Sequence, residues 1–465
     1  MLAVAAGCTP SRPVASWHTA TAPQPGAAGL GDPYYPDYGN GGYDVASYKL
    51  DVRYDPGPGR LDGREVITAT ATQALSRFNL DFGRLSLGSV TVNGAPARTD
   101  RPGGVELTVT PAQPLAAGQS FTVELSYGGA FGGGSDADGS FLHSGTGAVA
   151  VGEPESATSW FAVNDHPLDK ATYEFAVTVP EGWTAVANGV PGGSSSTAGW
   201  TTWRWSEGLP MASYLTTVAI GKYRVITGTY QGKPVYSAVA STLPVELADR
   251  VIARTPEIVD FLASQFGPYP FDAVGGIVPD EARLRFALET QTRPVYSAGF
   301  FRQGTDDDKT WVLAHELAHQ WFGDSVSVHF WRDIWLNEGF ATYAEWLWGE
   351  HLGRSSVQDA FERAYAEPPE GRVWSPPPGD PGVRALFGAS VYRRGAMTVH
   401  ALRVTVGDDA FFRILRAWTS ERRYGNGSTA DFQALAERVS GRELDALFQD
   451  WLFERGKPPR PKPPG

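Results

Sequence analysis

Thr305-Asp306-Asp307-Asp308-Lys309-Thr310-Trp311-Val312-Leu313-Ala314-His315-Glu316-Leu317-Ala318-His319 carries the pattern from which the rest of the chain is read. It predicts a helix: Thr305 can cap it, three Asp residues suit its positive end, and Gly323 suits its stop. His315 and His319 are four residues apart, so one helical face presents both imidazoles side by side. That spacing suits a divalent metal such as zinc, with Glu316 between them able to take a proton from a water. Ordinary helix residues also satisfy a five-residue pattern, so a further ligand is required.

Trp335-Leu336-Asn337-Glu338-Gly339-Phe340-Ala341 supplies one. Glu338 lies nineteen positions after His319, on a second predicted helix from Ile334 to Trp348. Two helices joined by a short link can bring its carboxylate to the imidazoles, leaving a fourth position for water, as a catalytic zinc requires. A solvated helix Glu is the plain alternative, but Trp331, Trp335 and Phe340 surround it in the sequence.

The chain has 465 residues, enough for two or three domains. It is 42% hydrophobic and 12% aromatic, a folded composition, and its charge of −12 argues against a nucleic-acid partner. Its single cysteine, Cys8, excludes an intrachain disulfide and a cysteine-rich metal site. Leu2-Ala3-Val4-Ala5-Ala6-Gly7-Cys8 resembles the end of a bacterial lipoprotein signal. The basic segment and full apolar run of such a signal are missing, as a start placed too late would explain. The expectation is an extracytoplasmic location, either lipid-anchored at the cell membrane through Cys8 or secreted.

Residues 1–40 are expected to hold this truncated signal and a flexible Pro, Gly and Ala-rich tether. From 41 to 230, alternating runs such as Tyr48-Lys49-Leu50-Asp51-Val52 and Phe121-Thr122-Val123-Glu124-Leu125 predict an antiparallel, sandwich-like β domain. From 231 to 456 helical patterns dominate, including Leu247 to Phe266 and Ala410 to Arg423. Residues 457–465 read as a Pro-rich tail. The fold class is therefore α+β, a β domain followed by a mainly helical one. His143, His166, His329, His351 and His400 show no ligand spacing among themselves and read as structural or exposed.

His315 to Glu338, with the flanks His319-Gln320-Trp321-Phe322-Gly323-Asp324 and Trp335 to Ala341, resembles the zinc site of the gluzincin aminopeptidases, the aminopeptidase N and leukotriene hydrolase family. The resemblance covers about Tyr43 to Gly456. It implies a thermolysin-like catalytic domain, one zinc ion per chain held by His315, His319 and Glu338, and Glu316 as general base. Phe286-Ala287-Leu288-Glu289-Thr290 looks like the family's Gly-Ala-Met-Glu-Asn strand, whose Glu binds the substrate α-amine. Phe286 and Thr290 depart from it at both ends. Glu153-Pro154 is similar to the segment that gives a second amine-binding acid, and Tyr392-Arg393-Arg394-Gly395 to the block whose Tyr faces the oxyanion.

The resemblance thus implies peptide substrates with a free N-terminus. A broader zinc endopeptidase is the alternative among enzymes, and an inactive peptide-binding scaffold the alternative outside them. The family's long helical C-terminal domain has no counterpart in the sequence, so a more open cleft accepting longer N-termini is expected. Side-chain preference and oligomeric state are not legible.

Overall fold

Alternation at period two builds the first half of the chain. In the computed structural model, which describes residues 22–131 and 140–462, Tyr43–Asp55 buries Tyr43 and Val45, then Tyr48, Leu50, Val52 and Tyr54. The inward parity switches from odd to even because a bulge between Val45 and Ser47 inserts one residue against the neighbouring strand. This strand is central in an eight-stranded sheet ordered Val190–Thr197, Trp200–Met211, Ala171–Pro180, Tyr43–Asp55, Arg60–Ala71, Ser120–Ala130, Ser86–Val92, Ala95–Pro96. Two four-stranded sheets complete the domain. One departure from the antiparallel expectation is the parallel pairing of Ala171–Pro180 with Tyr43–Asp55. The later strand returns from the far end of the domain, and such a crossover is what parallel pairing needs.

The second half opens on a five-stranded sheet: Tyr223–Tyr230, Lys233–Ala240, Ile277–Val278, Val295–Tyr296 and, at its edge, Ala287–Leu288. The first two strands form one hairpin, and the expected boundary at 230/231 falls at its turn. Helices α1 (Val245–Ile252), α2 (Thr255–Phe266), α3 (Asp306–Ala318), α4 (Trp335–His351), α5 (Val357–Tyr365), α6 (Gly395–Val406), α7 (Asp408–Glu421) and α8 (Thr429–Ser440) follow. The single helix expected over Leu247 to Phe266 is two. Pro256 stands in the first turn of α2, where a residue without an N–H starts a helix rather than continues one. One hydrophobic core runs through both halves, from Tyr43 to Leu452.

Two stretches expected to be loose are packed. Within the tether, Gln24–Pro25 pairs with Leu75 and Arg77. Asp32, 1% exposed, accepts the Trp331 N–H at 2.8 Å and the His166 Nε2–H at 3.2 Å. Burial would raise the Asp32 carboxyl, but these bonds and the Tyr34 N–H hold it below its usual value. The Tyr34 hydroxyl donates to Asp380 and accepts from Gly382 N–H. Tyr365 donates to the Pro458 carbonyl at 2.7 Å, and Lys457 lies 4.2 Å from the Tyr365 ring centre, so the tail is docked through that point. Pattern-free, Pro-rich segments carry no periodic signal of such one-off anchors. Cys8 and His18 lie outside the described residues.

Asp32 joins the N-terminal segment, the β domain at His166 and the turn before α4. Asp32→Ala leaves two buried donors unpartnered and is expected to lower stability by about 3 kcal/mol. A fall in the urea midpoint at unchanged slope is the measurement.

Candidate active site

Helix α3 is fixed at its start by a reciprocal cap: the Thr305 hydroxyl accepts the Asp308 N–H at 3.2 Å, and the Asp308 carboxylate accepts the Thr305 N–H at 2.8 Å. From it His315, Glu316 and His319 point inward, all buried. Helix α4 crosses α3 and delivers Glu338, whose Oε2 lies 3.1 Å from His315 Nε2 and 3.5 Å from His319 Nε2. All seven side chains singled out in the sequence, His315, Glu316, His319, Glu338, Glu289, Glu153 and Tyr392, line one cleft of about 540 Å³.

The donor set fits zinc. His315 Nδ1 is 2.7 Å from Glu345 Oε1, and His319 Nδ1 is 3.0 Å from the Phe322 carbonyl. Both are acceptors, so each Nδ1 carries its proton and each Nε2 is the nitrogen that faces Glu338, available to a metal once its own proton leaves. Without a metal the Nε2 protons pair the imidazoles with Glu338; a divalent ion would take the place of those protons. A tetrahedral zinc with bonds of about 2.0–2.2 Å sets its ligand atoms roughly 3.3–3.6 Å apart, and the two nitrogens here lie 3.1 and 3.5 Å from the Glu338 oxygen. Burial alone would lower both imidazoles, but the surrounding carboxylates hold them raised. Glu338, despite its burial, is depressed by the two histidines.

Sequence reading missed Glu345, although it lies seven residues after Glu338 and so two turns along the same face of α4. It also missed Gln320. The Gln320 amide donates to the Glu289 carbonyl at 2.9 Å and accepts the Thr292 N–H at 2.8 Å, clamping the strand end that bears Glu289 to α3. Thr290, one of the departures from the resembled strand, closes this turn by donating to the Arg293 carbonyl at 2.6 Å. Arg293 in turn donates to the carbonyls of Ala187 and Gly189, tying the strand end to the β domain.

Tyr392 arrives through a helix crossing. A Cβ on Gly395 would sit 2.9 Å from Gly339 Cα, so only glycine lets α6 touch α4 backbone to backbone. The residues just before these glycines therefore meet. The Tyr392 hydroxyl feels the charge of Glu338, and its ring stacks on His315 with centres 6.0 Å apart. Burial, then the charge of Glu338, raises the phenol well above its usual value, so it stays protonated.

Glu289 Oε1 lies 4.0 Å from His319 Nδ1. It and Glu153 Oε1 are buried without a hydrogen-bond partner. Burial raises the Glu153 carboxyl, and Glu289 is the largest charge acting on it. Burial also raises Glu289 and Glu316. Two facing carboxylates with unused oxygens form a receptor for a cationic donor.

Buried histidines, an acid set for a divalent ion and a free carboxylate beside them define a metallohydrolase-type site. The sequence models of the peptidase M1 N-terminal domain and the peptidase family M1 domain match residues 45–215 and 302–451. The crystal structure of the M1 zinc metallopeptidase from Deinococcus radiodurans superposes with a TM-score of 0.81 at 30% identity, covering 94% of this chain and 100% of that one. A variant of that metallopeptidase bound to a Tyr-Ser-Ala substrate gives 0.82 at 29% identity, with the same coverage. Aminopeptidase N of Streptomyces lividans is 28% identical over 326 residues, 65% of this chain and 38% of its own length. Aminopeptidase M1 of Arabidopsis thaliana is 29% identical over 335 residues, 67% and 37%. The chain belongs to peptidase family M1. It spans about two-fifths of the length of these two curated relatives.

If Glu345 orients His315 for the metal, Glu345→Gln is expected to weaken zinc binding by about 10–100-fold, read by competition with a chromogenic chelator. An unchanged affinity would place Glu345 outside the metal's support.

Proposed function

We propose that this protein is a zinc-dependent aminopeptidase that binds one zinc per chain and removes residues from the free N-terminus of peptides. The observation that carries the reading is the pair of carboxylates Glu153 and Glu289, each with one buried oxygen that has no hydrogen-bond partner, beside the His315, His319 and Glu338 group. The cleft is lined by five carboxylates and one guanidinium, Arg285, which favours a cationic end of a peptide over an acetylated one. Family membership and the substrate-bound relative support the peptide as substrate.

His315, His319 and Glu338 would hold the ion, with Glu345 and the Phe322 carbonyl fixing the imidazoles. When bound, zinc supplies Lewis acidity toward a scissile carbonyl and makes water acidic near neutral pH. Glu316, next to His315 on α3, takes the proton of the attacking water and passes it to the leaving amine. Tyr392, protonated at neutral pH, donates to the oxygen on which charge develops. Glu289 and Glu153 grip the α-ammonium, so the first peptide bond is the one aligned for attack. An extracytoplasmic location with a lipid on Cys8 completes the proposal and rests on the small-residue run before that cysteine.

Matched peptides with free and acetylated N-termini test it: cleavage of the free form alone is expected, and equal cleavage would make the enzyme an endopeptidase. Glu316→Gln is expected to lower kcat by about 10²–10⁴-fold. Tyr392→Phe should lower kcat by roughly 10²–10³-fold with little change in KM. Glu289→Gln should act mainly on KM, since it removes charge from the ammonium site.

A further inference from the structure

A cluster of exposed apolar side chains on one surface, unlike single ones, marks a binding site. Among the described residues four large aromatic side chains are substantially exposed: Phe286 at 39%, Trp311 at 42%, Phe387 at 42% and Phe453 at 41%. Three of the four, Phe286, Trp311 and Phe387, line the catalytic cleft. Phe300 joins them, edge-on to Trp311 with ring centres 5.7 Å apart, and Val312 adds to the same wall. They come from a strand end, a short helical turn, α3 and the segment before Tyr392. Convergence of four separate elements on one wall makes chance exposure a poor account of it.

The order of groups along α3 tells which part of a peptide meets this wall. Glu289 lies against His319, toward the C-terminal end of the helix. His315 comes one turn earlier. Trp311 is a turn earlier again, about 6 Å further along the axis. The ammonium site and the aromatic wall therefore flank the metal group on opposite sides. The edge strand agrees, because Phe286 precedes Glu289 by three residues, roughly 10 Å of extended chain. A peptide held by its ammonium at Glu289 advances about 3.5 Å per residue. Its first carbonyl then falls at the metal group, and its second side chain beside Trp311, Phe286 and Phe387. Phe286 is also the residue at which the chain departs from the glycine of the resembled strand, so the wall includes a side chain that glycine could not offer.

We infer that the protein selects peptides on the residue that follows the cleaved bond, favouring a large apolar or aromatic side chain at the second position. The inference rests on the aminopeptidase reading and adds to it the substrate class. Phe286, Trp311 and Phe387 are its specificity-determining residues. Each is partly exposed, so substituting them leaves the core intact.

The test is kcat/KM of the zinc-loaded protein on Ala-Phe-Ala, Ala-Gly-Ala, Phe-Ala-Ala and Ala-Ala-Ala. Ala-Phe-Ala is expected to exceed Ala-Gly-Ala by about tenfold or more, the usual effect of filling an apolar pocket. Phe286→Gly and Phe387→Ala should each cut that ratio at least about threefold, and as a ratio it is insensitive to general loss of activity. Binding of the intact tripeptides to the Glu316→Gln protein, followed by calorimetry, should keep the same order. A ratio below about twofold in the unmodified protein, ratios untouched in both variants, or a larger aromatic effect at the first position than at the second would each overturn the inference. If free-N-terminus peptides are cleaved without second-residue preference, the inference falls and the aminopeptidase reading stands. If none is cleaved while acetylated ones are, both fall.

Discussion

Glu338 faces two imidazole nitrogens across 3.1 and 3.5 Å, with each ring's other nitrogen already committed to an acceptor. Much of the second half of the molecule is arranged around the need for positive charge at that point. Glu316 and Glu289 are buried nearby, Glu153 is half-buried beside them, and desolvation raises all three carboxyls. A metal cation and a cationic ligand sharing the cleft would hold those acids in their charged forms. The same electrostatic constraint thus accounts for the metal set and for the affinity toward an ammonium.

Holding that charge cluster in register requires rigid support, and the support is distributed. The glycine contact between α4 and α6 sets Tyr392 against Glu338. Gln320 clamps the Glu289 strand end to α3, while Arg293 ties it to the β domain. Lys170 of the β domain donates to the carbonyls of Asp324 and Ser325, just beyond α3. The β domain is thus a structural wall of the site as well as the source of Glu153. Asp32, far away in sequence, braces the turn into α4 through the Trp331 N–H.

Much of this was legible in the residues. His315, Glu316, His319 and Glu338 were readable because helical spacing fixes which side chains share a face, and the Thr305 cap because capping is a local contact. Strand alternation revealed the β domain for the same reason. Glu289, Glu153 and Tyr392 were reached only through resemblance, since nothing local marks an amine-binding acid or an oxyanion donor. The glycines at 339 and 395 were visible, but their reason was not, because it lies in a partner helix 56 positions away.

What tertiary structure alone decided is correspondingly non-local. The docking of residues 22–40 and 457–462 depends on single anchors such as Asp32 and Tyr365, which leave no period in the sequence. The placement of Phe286, Trp311 and Phe387 on one wall requires separate elements to converge. Sequence by itself determined the chemistry, because a metal group and its base are written at fixed helical spacing. The fold decided what reaches that chemistry, because a pocket is made of distances between segments that the chain brings together only on packing.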